Sequence, residues 1–352
     1  MTDLSEFFRN LVESGASRKG KTMTLHISEA EVRSLLTMPM AIEAVEEISR
    51  RQAAGEAVVH ARRRIELPGG GFFHYMAGAD FTTGFVGMKL YTYMRGRLRF
   101  VVPLYRVATG EMAALIEADA MGQLRTGAAS GVATKYLARR DARTAAIIGT
   151  GGQARTQLEA VAAVRKLTSA RAYGRDPARR ERFCREMSER LGIPVQAAAS
   201  SAEAVRGAEI VCTATTASQT VLSGADVAPG AHINAIGANH AHKRELDDAA
   251  VARAGVIVVD SLEQSRLEAG DLILAFAGSE ARWGGVVELP HLVTGKAPGR
   301  ANDAQITLFK SNGIAAWDIA VAVRVLQLAQ ERKLGRELPL WAGEAGEPAG
   351  SY

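Results

Sequence analysis

Residues 145–154 combine an apolar run with the glycine pattern of a nucleotide-binding turn. The segment reads Ala-Ala-Ile-Ile-Gly-Thr-Gly-Gly-Gln-Ala, so a predicted strand ends in Gly-x-Gly-x-x-Ala and a predicted helix follows. In a dinucleotide-binding unit, the first glycine (Gly149) makes the tight turn and the second (Gly151) lets the backbone approach a pyrophosphate, while Ala154 allows close helix packing. The helix N-terminus faces the anion. We therefore predict a dinucleotide site, the alternative being a glycine-rich turn without a ligand.

Two basic residues stand where a ligand cleft would need charge. Lys89 interrupts an apolar strand predicted over residues 86–91, and a charge buried there is unfavourable unless it is paired. Arg125 precedes Thr-Gly-Ala-Ala in a predicted helix, which combines close packing with one basic group aimed at a cleft. An arginine fork pairs bidentately with a carboxylate, and a lysine adds a compact charge. The alternative is that both residues face solvent.

The composition is that of an ordinary globular protein with a mild basic excess. The chain has 352 residues, of which 47% are hydrophobic and 23% charged, and its net charge is +5. This length predicts two domains. The densest basic clusters, residues 62–64 and 179–180, lack interleaved aromatics, so we expect no nucleic-acid partner. The excess of arginine suits a small anionic substrate or cofactor instead.

Cysteine usage and apolar runs bear on metal binding and location. Cys184 and Cys212 form neither a disulfide framework nor a metal spacing, which favours a reducing compartment. No cluster of His, Cys or acidic residues has the spacing of metal ligands, so we predict no metal. No apolar run approaches the roughly 18 residues of a membrane helix, and we find no secretory signal. We therefore expect a cytoplasmic protein with no membrane partner.

The first half of the chain predicts a mixed domain of helices and short strands. Residues 1–22 are expected to be an extension, and a capping box at Ser28 and Glu31 then begins a helix. A second helix is predicted over 39–53 and a third over 119–138. Between them, glycine-separated apolar segments predict strands over residues 64–67, 72–76, 86–91, 100–105 and 112–116.

The second half alternates strands with helices, which is typical of a parallel sheet covered by helices. Strands are predicted over residues 145–148, 170–173, 210–213, 232–236 and 256–259. A long helix after about residue 313 is expected to cross back to the first domain, and residues 343–352 form a tail. We thus predict an α/β fold with a Rossmann-type doubly wound parallel sheet over 131–317, and an α+β domain formed by 23–130 and 318–342.

Seven segments, in order, resemble the ornithine cyclodeaminase/mu-crystallin family. The resemblance covers roughly residues 23–336, and it implies that the α+β domain binds the substrate and forms a homodimer. The segments are Met88-Lys89-Leu90, residues 125–128 (Arg-Thr-Gly-Ala), the glycine loop with Gln153 and Ala154, residues 229–237 (Pro-Gly-Ala-His-Ile-Asn-Ala-Ile-Gly), 245–247 (Glu-Leu-Asp), 259–261 (Val-Asp-Ser) and 307–313 (Thr-Leu-Phe-Lys-Ser-Asn-Gly).

The resemblance implies a clamp for the carboxylate of an amino or imino acid. Its members are Arg62, Lys89 and Arg125, with Arg63 and Arg64 competing for the first position. Lys89 and Arg125 are the implied catalytic residues. Lys89 is the candidate to protonate the product nitrogen, or to hold a water that does so.

The residues after the second strand of the Rossmann unit favour NADP(H), with NAD(H) left open. NAD-binding units place a carboxylate there, about 20 residues beyond the glycine motif. This chain has Gly174 followed by Arg175, which suits a 2′-phosphate. Two alternatives stay open, because Asp176 could reach back to a ribose and Arg175 could be an exposed loop charge.

The motif and the resemblance together define the expected cofactor contacts. Lys310, Ser311 and Asp318 lie in a family segment near the nicotinamide, although Ser311 or Asn312 could instead cap a helix that begins near Gly313. The predicted cofactor-binding residues are Thr126, Gly149, Thr150, Gly151, Gly152, Gln153, Ala154, Arg175, Ala214, Thr215, Gly237, Lys310 and Ser311.

Asn239 bears on the type of reaction. Cyclodeaminases and some alanine dehydrogenases of the family carry an aspartate near the substrate amine at this point, where a carboxylate can act as a base. Asn239 has no such capacity, and the ketimine-reductase members also lack that aspartate. The resemblance therefore implies NAD(P)H-dependent reduction of a small cyclic imino acid, such as pyrroline-2-carboxylate or piperideine-2-carboxylate, to the cyclic amino acid.

Two alternative functions stay open. One is a cyclodeaminase or amino acid dehydrogenase of the same fold, and the other is a non-catalytic protein that binds NADPH or a small ligand. The charged clamp argues against the second, because a scaffold has no need of it. Among the histidines, His232 is expected to be a hydrogen-bonded core residue, whereas His74 and His240 are candidates for the substrate pocket.

Overall fold

The computed structural model describes residues 23–340, so the predicted extension (1–22) and tail (343–352) lie outside the described residues. Two eight-stranded sheets organise this part of the chain. None of the helices between residues 23 and 340 has the length and apolar character needed to cross a membrane.

The first part of the chain supplies seven strands and three helices. Ser28 precedes the first helix, and its backbone N–H donates to Glu31 Oε2 at 2.8 Å, as the predicted capping box requires. The strands are β1 (Thr24–Ile27), β2 (Ala57–Val59), β3 (Arg63–Leu67), β4 (Gly71–Asp80), β5 (Phe85–Met94), β6 (Arg97–Arg106) and β7 (Met112–Glu117), and the helices are α1 (Glu29–Leu35), α2 (Met38–Ala53) and α3 (Asp119–Leu137).

The second part alternates strands and helices, as predicted. Its strands are β8 (Thr144–Ile148), β9 (Ser169–Tyr173), β10 (Val195–Ala197), β11 (Ile210–Thr213), β12 (His232–Ala235), β13 (Ala254–Val259), β14 (Val286–Glu288) and β15 (Ile306–Lys310). Its helices are α4 (Gly152–Val164), α5 (Pro177–Leu191), α6 (Ser201–Val205), α7 (Asp248–Arg253), α8 (Leu262–Glu268), α9 (Gly270–Ala275) and α10 (Leu289–Val293), with 3-10 turns at Gly224–Asp226 and Glu280–Gly285.

These eight strands form one parallel sheet in the order β10-β9-β8-β11-β12-β15-β13-β14. The chain adds strands on one side of β8 and then switches to the other side at β11. In such doubly wound sheets, ligands bind at the carboxyl ends of the strands next to this switch point. The glycine loop follows β8 directly, so the topology brings the predicted nucleotide site to that crevice.

The chain then returns to the first sheet. The long helix α11 (Ala315–Glu331) packs against β4 and β5, and β16 (Arg336–Leu338) pairs with β1. The first sheet has the order β16-β1-β7-β6-β5-β4-β2, with β3 paired to β4. Its pairs are antiparallel except for β1 with β7.

Helices α3 and α4 pack closely because Gly127 has no side chain. A Cβ on Gly127 would lie 2.4 Å from the carbonyl oxygen of Thr156 on α4. Thr126 Oγ1 donates to the Gly122 carbonyl at 2.8 Å, and the Gln157 side chain donates to the Thr126 carbonyl at 3.3 Å. The Arg-Thr-Gly-Ala segment is thus the contact that holds Arg125 in place between the two sheets.

Strand β15 and the start of helix α11 differ from the predictions made above. Residues 306–310 form β15, a central strand of the second sheet, although no strand was predicted there. Helix α11 begins after Ile314 and has no side-chain cap, so capping by Ser311 or Asn312 was wrong. The reason is that the segment 311–313 bonds to Asp260 instead.

Candidate active site

A cavity of about 950 Å³ lies between the two sheets and is lined by residues of both. Its volume lies within the range of small-molecule and cofactor sites. One wall comes from β4, β5, β6 and α3, and the other from the loops that follow β8, β11, β12 and β15. The cavity therefore occupies the crevice that the doubly wound topology predicts.

The glycine loop has the geometry that a dinucleotide needs. Gly149 has a φ of +118°, and a Cβ on it would lie 2.4 Å from the Ala214 carbonyl oxygen, so a side chain is excluded. Gly151 is the N-cap of α4 and lines the cavity, and a Cβ there would meet only Arg179 Nη2, at 3.8 Å. Backbone N–H groups at an open helix N-terminus bind phosphate. These residues therefore fit a dinucleotide pyrophosphate.

A buried glutamate holds the loops after β11 and β12. Glu245 accepts hydrogen bonds from Thr213 Oγ1, the Thr215 backbone and the Gly237 backbone, each at 2.7 Å. Burial raises the pKa of Glu245. Thr215 and Gly237 line the cavity together with Ala214. Glu245 thus positions two of the predicted cofactor contacts, Thr215 and Gly237.

The three predicted clamp residues converge on the cavity. Lys89 comes from β5, Arg125 from α3 and Arg62 from the segment before β3. Lys89 Nζ lies 3.1 Å from Asp318 Oδ1, and Arg125 Nε donates to the same oxygen at 3.0 Å. Arg62 Nη1 pairs with Glu268 Oε2 at 3.2 Å.

Within the arginine triplet, the structure brings Arg62 to the cavity. Its side chain is 6% exposed, and Nη2 donates to the Asn312 carbonyl oxygen at 2.7 Å. Arg63 is exposed, and Arg64 is exposed and pairs with Glu66. Because β3 begins immediately after Arg62, the two neighbours extend along an exposed strand while Arg62 turns inward.

Charge and hydrogen bonding at the clamp both leave room for an anion. Three cationic side chains form ion pairs with two carboxylates, those of Asp318 and Glu268, so two of the cations share one carboxylate oxygen. Arg125 Nη1 is buried and has no hydrogen-bond partner among residues 23–340. A Cβ on Gly313 would lie 2.5 Å from that nitrogen, so glycine is needed to accommodate the guanidinium. A ligand carboxylate would satisfy the buried N–H.

Lys89 is poised to exchange a proton near neutral pH. Burial and the charge of Arg125 lower the pKa of Lys89 to about 8, while Asp318 acts in the opposite direction. Lys89 Nζ also lies 4.9 Å from the centre of the Phe100 ring. Lys89 is 4% exposed, so the alternative that it faces solvent was wrong.

Five predicted cofactor contacts do not line the cavity, and Lys310 and Arg175 are two of them. Lys310 is fully buried, pairs with Asp271 Oδ2 at 3.2 Å and donates to the Ala238 carbonyl, so it supports the loop after β12 from behind. Arg175 is exposed in the loop after β9. The side chain of Asp176 accepts the Arg179 backbone N–H at 3.0 Å and caps α5.

The other predicted cofactor residues divide into two groups. Gly149, Thr150 and Ala154 do not line the cavity but support the loop that does. Ala154, for example, is fully buried in the core beneath β8. The cavity wall itself includes Thr126, Gly151, Gly152, Gln153, Ala214, Thr215, Gly237 and Ser311.

Several residues of the site were not predicted. Asp260 Oδ2 accepts the Ser311 hydroxyl at 3.1 Å and the backbone N–H groups of Asn312 and Gly313 at 2.6 Å, which shapes the loop that holds Arg62. Gln123, Arg179 and Glu268 were also missed. The position of Gln123, two residues before Arg125, is a weak sequence signal for a role in the site. Glu268 gives no such signal, because it is 206 positions from Arg62 and only folding brings the two together.

Of the histidines, His232 lies in the core, as predicted. His232 is fully buried and bonds to Thr307 and Asn234, and burial lowers its pKa to about 3. His74 and His240 both line the cavity, together with Asn239 from the loop after β12. Asn239 therefore lines the cavity, and its amide cannot act as a base there.

Comparison with known proteins agrees with this geometry. The ornithine cyclodeaminase/mu-crystallin family profile matches residues 22–333. A Delta(1)-pyrroline-2-carboxylate reductase of Bacillus cereus is 39% identical over 68% of this chain and 73% of its own. The structure of the Thermococcus litoralis Delta(1)-pyrroline-2-carboxylate reductase with NADH and L-proline is 36% identical, with a TM-score of 0.86 over 90% of this chain and 100% of its own. An archaeal alanine dehydrogenase dimer with bound NAD is 31% identical, with a TM-score of 0.85 over 91% and 100%. The chain belongs to the ornithine cyclodeaminase/mu-crystallin family.

Proposed function

We propose that this protein is an NAD(P)H-dependent reductase of small cyclic imino acids of the pyrroline-2-carboxylate or piperideine-2-carboxylate type. The observation that carries the proposal is the shared cavity, in which a carboxylate clamp faces an open glycine loop at a helix N-terminus. The named activity of the Bacillus and Thermococcus relatives supports the same reaction.

The clamp residues would hold the substrate by its carboxylate. Arg125 would donate from the buried Nη1, with Lys89 and Arg62 adding charge on either side. A nicotinamide dinucleotide, when bound, supplies the hydride. Holding two reactants in a productive orientation lowers the barrier by about 7 to 11 kcal/mol.

Lys89 would provide the proton that the product nitrogen gains. Its ammonium is buried beside the clamp and has a pKa of about 8, so it is protonated at neutral pH and can release its proton there. Asp318 would keep the ammonium in place. Asn239 supports reduction over cyclodeamination, because the cavity has an amide where a base would be needed to deprotonate an amine.

NADP(H) is the cofactor that the loop after β9 favours. Gly174 occupies the place of the ribose-binding carboxylate, and Asp176 is committed to capping α5. Arg175 is exposed beside them, and Arg179 lines the cavity next to the glycine loop. The Thermococcus and archaeal relatives carry NADH and NAD, so NAD(H) is the competing cofactor.

A homodimer built through the first domain is the assembly we propose. Exposed apolar side chains on the first sheet support it, among them Ile65 at 51% and Val58 at 42% exposure, as does the dimeric archaeal relative. We also propose the division into domains at 23–130 with 318–342 and at 131–317. The two free cysteines support a reducing, cytoplasmic location.

The test is cofactor consumption by the purified protein. NADPH and NADH would each be mixed with pyrroline-2-carboxylate and with piperideine-2-carboxylate, and L-ornithine with NAD would form a parallel arm. Reduction that Lys89→Met lowers at least about 100-fold supports the proposal. Conversion of ornithine to proline without imine reduction would refute it, and cofactor binding without turnover would indicate a non-catalytic binder.

A further inference from the structure

The part of the cavity beyond the clamp is lined mainly by apolar and aromatic side chains. In the register of β4 with β5, Met76 lies opposite Lys89 and His74 opposite Tyr91, and all four line the cavity. Two residues advance a strand by about 7 Å, so the His74–Tyr91 pair stands about one ring width from Lys89. The remaining wall consists of Phe72, Tyr93, Leu98 and Phe100.

The hydrogen bond between His74 and Tyr91 determines which histidine nitrogen is free. The Tyr91 hydroxyl contacts His74 Nδ1 and has no second partner in the described part of the chain. Burial raises the pKa of Tyr91, so the phenol keeps its proton, and donation to Nδ1 is the arrangement that gives this proton a partner among the described residues. A neutral imidazole that accepts at Nδ1 has its hydrogen on Nε2. His74 is therefore a donor at Nε2.

That donor is buried and unsatisfied. His74 is 6% exposed, and its Nε2 has no hydrogen-bond partner among residues 23–340. Burial and the nearby charges of Arg62 and Arg64 lower the pKa of His74 to about 3, so the ring is neutral at physiological pH. Buried polar atoms in native proteins have partners, so an acceptor on a bound ligand is expected at this point.

An uncharged oxygen is the acceptor that best fits this environment. The two arginines near His74 are already paired, Arg62 with Glu268 and Arg64 with Glu66. A second carboxylate beside them would be desolvated with little new pairing, which is unfavourable. A hydroxyl oxygen accepts from a neutral N–H without burying charge.

We propose that His74 is a specificity-determining residue whose Nε2–H donates to a hydroxyl on the substrate ring, at a ring carbon remote from the carboxylate. The substrate class is then the hydroxylated cyclic imino acids, and a ring without the hydroxyl is a poorer substrate. This inference rests on the proposed reductase function and narrows its substrate.

The reverse reaction tests the inference with stable compounds. Wild-type enzyme with NAD and with NADP is assayed on L-proline and on cis- and trans-4-hydroxy-L-proline. The expected result is a kcat/KM about tenfold higher for one hydroxylated isomer than for L-proline, the factor that one neutral hydrogen bond provides. His74→Leu lowers this ratio about tenfold. His74→Gln, which places an amide N–H near the position of Nε2, restores most of it.

Leu98→Val is the matched control, because it changes the same wall without altering a polar atom or the Phe72 ring that packs against His74. It should change kcat/KM for all three compounds by the same factor, and thermal melting of each variant checks the fold. Oxidation of L-proline with no preference for either hydroxylated isomer, or a preference that His74→Leu leaves intact, overturns the inference while the reductase function stands. Absence of oxidation and of imine reduction with either cofactor refutes the reductase function as well.

Discussion

Lys89 Nζ lies 3.1 Å from Asp318 Oδ1, and both side chains are buried. The lysine lies on β5 of the first sheet, and the aspartate lies in the first turn of α11, much farther along the chain. Arg125 shares the same carboxylate oxygen. This shared carboxylate keeps two like charges side by side, where a substrate carboxylate can bind both.

Asp318→Asn should shift the pH dependence of reduction. Lys89 must be protonated to donate, and its pKa is about 8, so kcat falls as pH rises through about 8. Asp318 raises that pKa, so removing its charge lowers the pKa and moves the fall in kcat to lower pH. The measurement is the pH profile of kcat at saturating substrate, with Asp303→Asn, at an exposed residue, as the control. An unshifted profile would mean that Lys89 is not the group that titrates.

Arg125→Lys should raise the KM for the imino acid about 10- to 100-fold, because a hydrogen bond to a charged group contributes about 1.5 to 3 kcal/mol. The variant keeps the charge but loses the planar fork and its buried, unpaired Nη1. Steady-state kinetics with varied imino acid measure the effect. Arg97→Lys, at an exposed arginine of β6, is the control and should leave KM unchanged. An equal KM in both variants would show that Arg125 does not bind the substrate carboxylate.

Gly151→Ala should weaken dinucleotide binding without unfolding the protein. Gly151 has φ −90° and ψ −171°, which alanine adopts readily, and a Cβ there extends into the open cavity. We expect the Kd for NADPH or NADH to rise at least about tenfold and Tm to change little. Fluorescence titration measures binding, and Gly284→Ala, at an exposed glycine with open space around it, serves as the control. Unchanged binding would show that the pyrophosphate lies elsewhere.

Arg175→Ala should reduce the preference for NADPH. A charge-assisted bond to a 2′-phosphate is absent with NADH, so the ratio of kcat/KM for NADPH to that for NADH should fall about tenfold or more. Kinetics with each cofactor at a fixed imino acid concentration give the ratio. Arg182→Ala removes another exposed arginine a few positions farther along, in α5, and controls for the general loss of positive charge. If Arg175→Ala leaves the ratio of kcat/KM for NADPH to that for NADH unchanged, NAD(H) is the cofactor that this loop accepts.

Lys310→Met should destabilise the fold by about 3 to 5 kcal/mol, because it leaves the carboxylate of Asp271 buried without its cation. Urea denaturation measures the free energy of unfolding. The double variant Lys310→Met with Asp271→Asn should recover part of the loss, since the buried charge is then removed. Lys296→Met, at an exposed lysine, is the control. If the Lys310→Met protein is stable but fails to bind the cofactor, the result would support the original prediction that Lys310 contacts the cofactor.

Local patterns in the sequence predicted the elements that carry the site. Apolar periodicity predicts the alternation of strands and helices. The requirement for a positive φ in the turn predicts the glycine loop, and the burial of a central strand predicts the position of His232. The resemblance to a family added the clamp residues, which no periodicity identifies. Strand β15 was missed because its short apolar run carries no signal that distinguishes a strand from the start of a helix.

The sequence by itself determined which functional groups are present: a glycine turn for a pyrophosphate, three cations for a carboxylate, and an amide in place of a base at Asn239. Only the tertiary structure decided which of these groups meet. Lys310 pairs with Asp271 away from the cavity, Glu268 reaches Arg62 across 206 positions, and Asp318 joins Lys89 to Arg125. The physical reason is that buried charges must find partners, and the partner is whichever opposite charge the packed sheets and helices bring within reach.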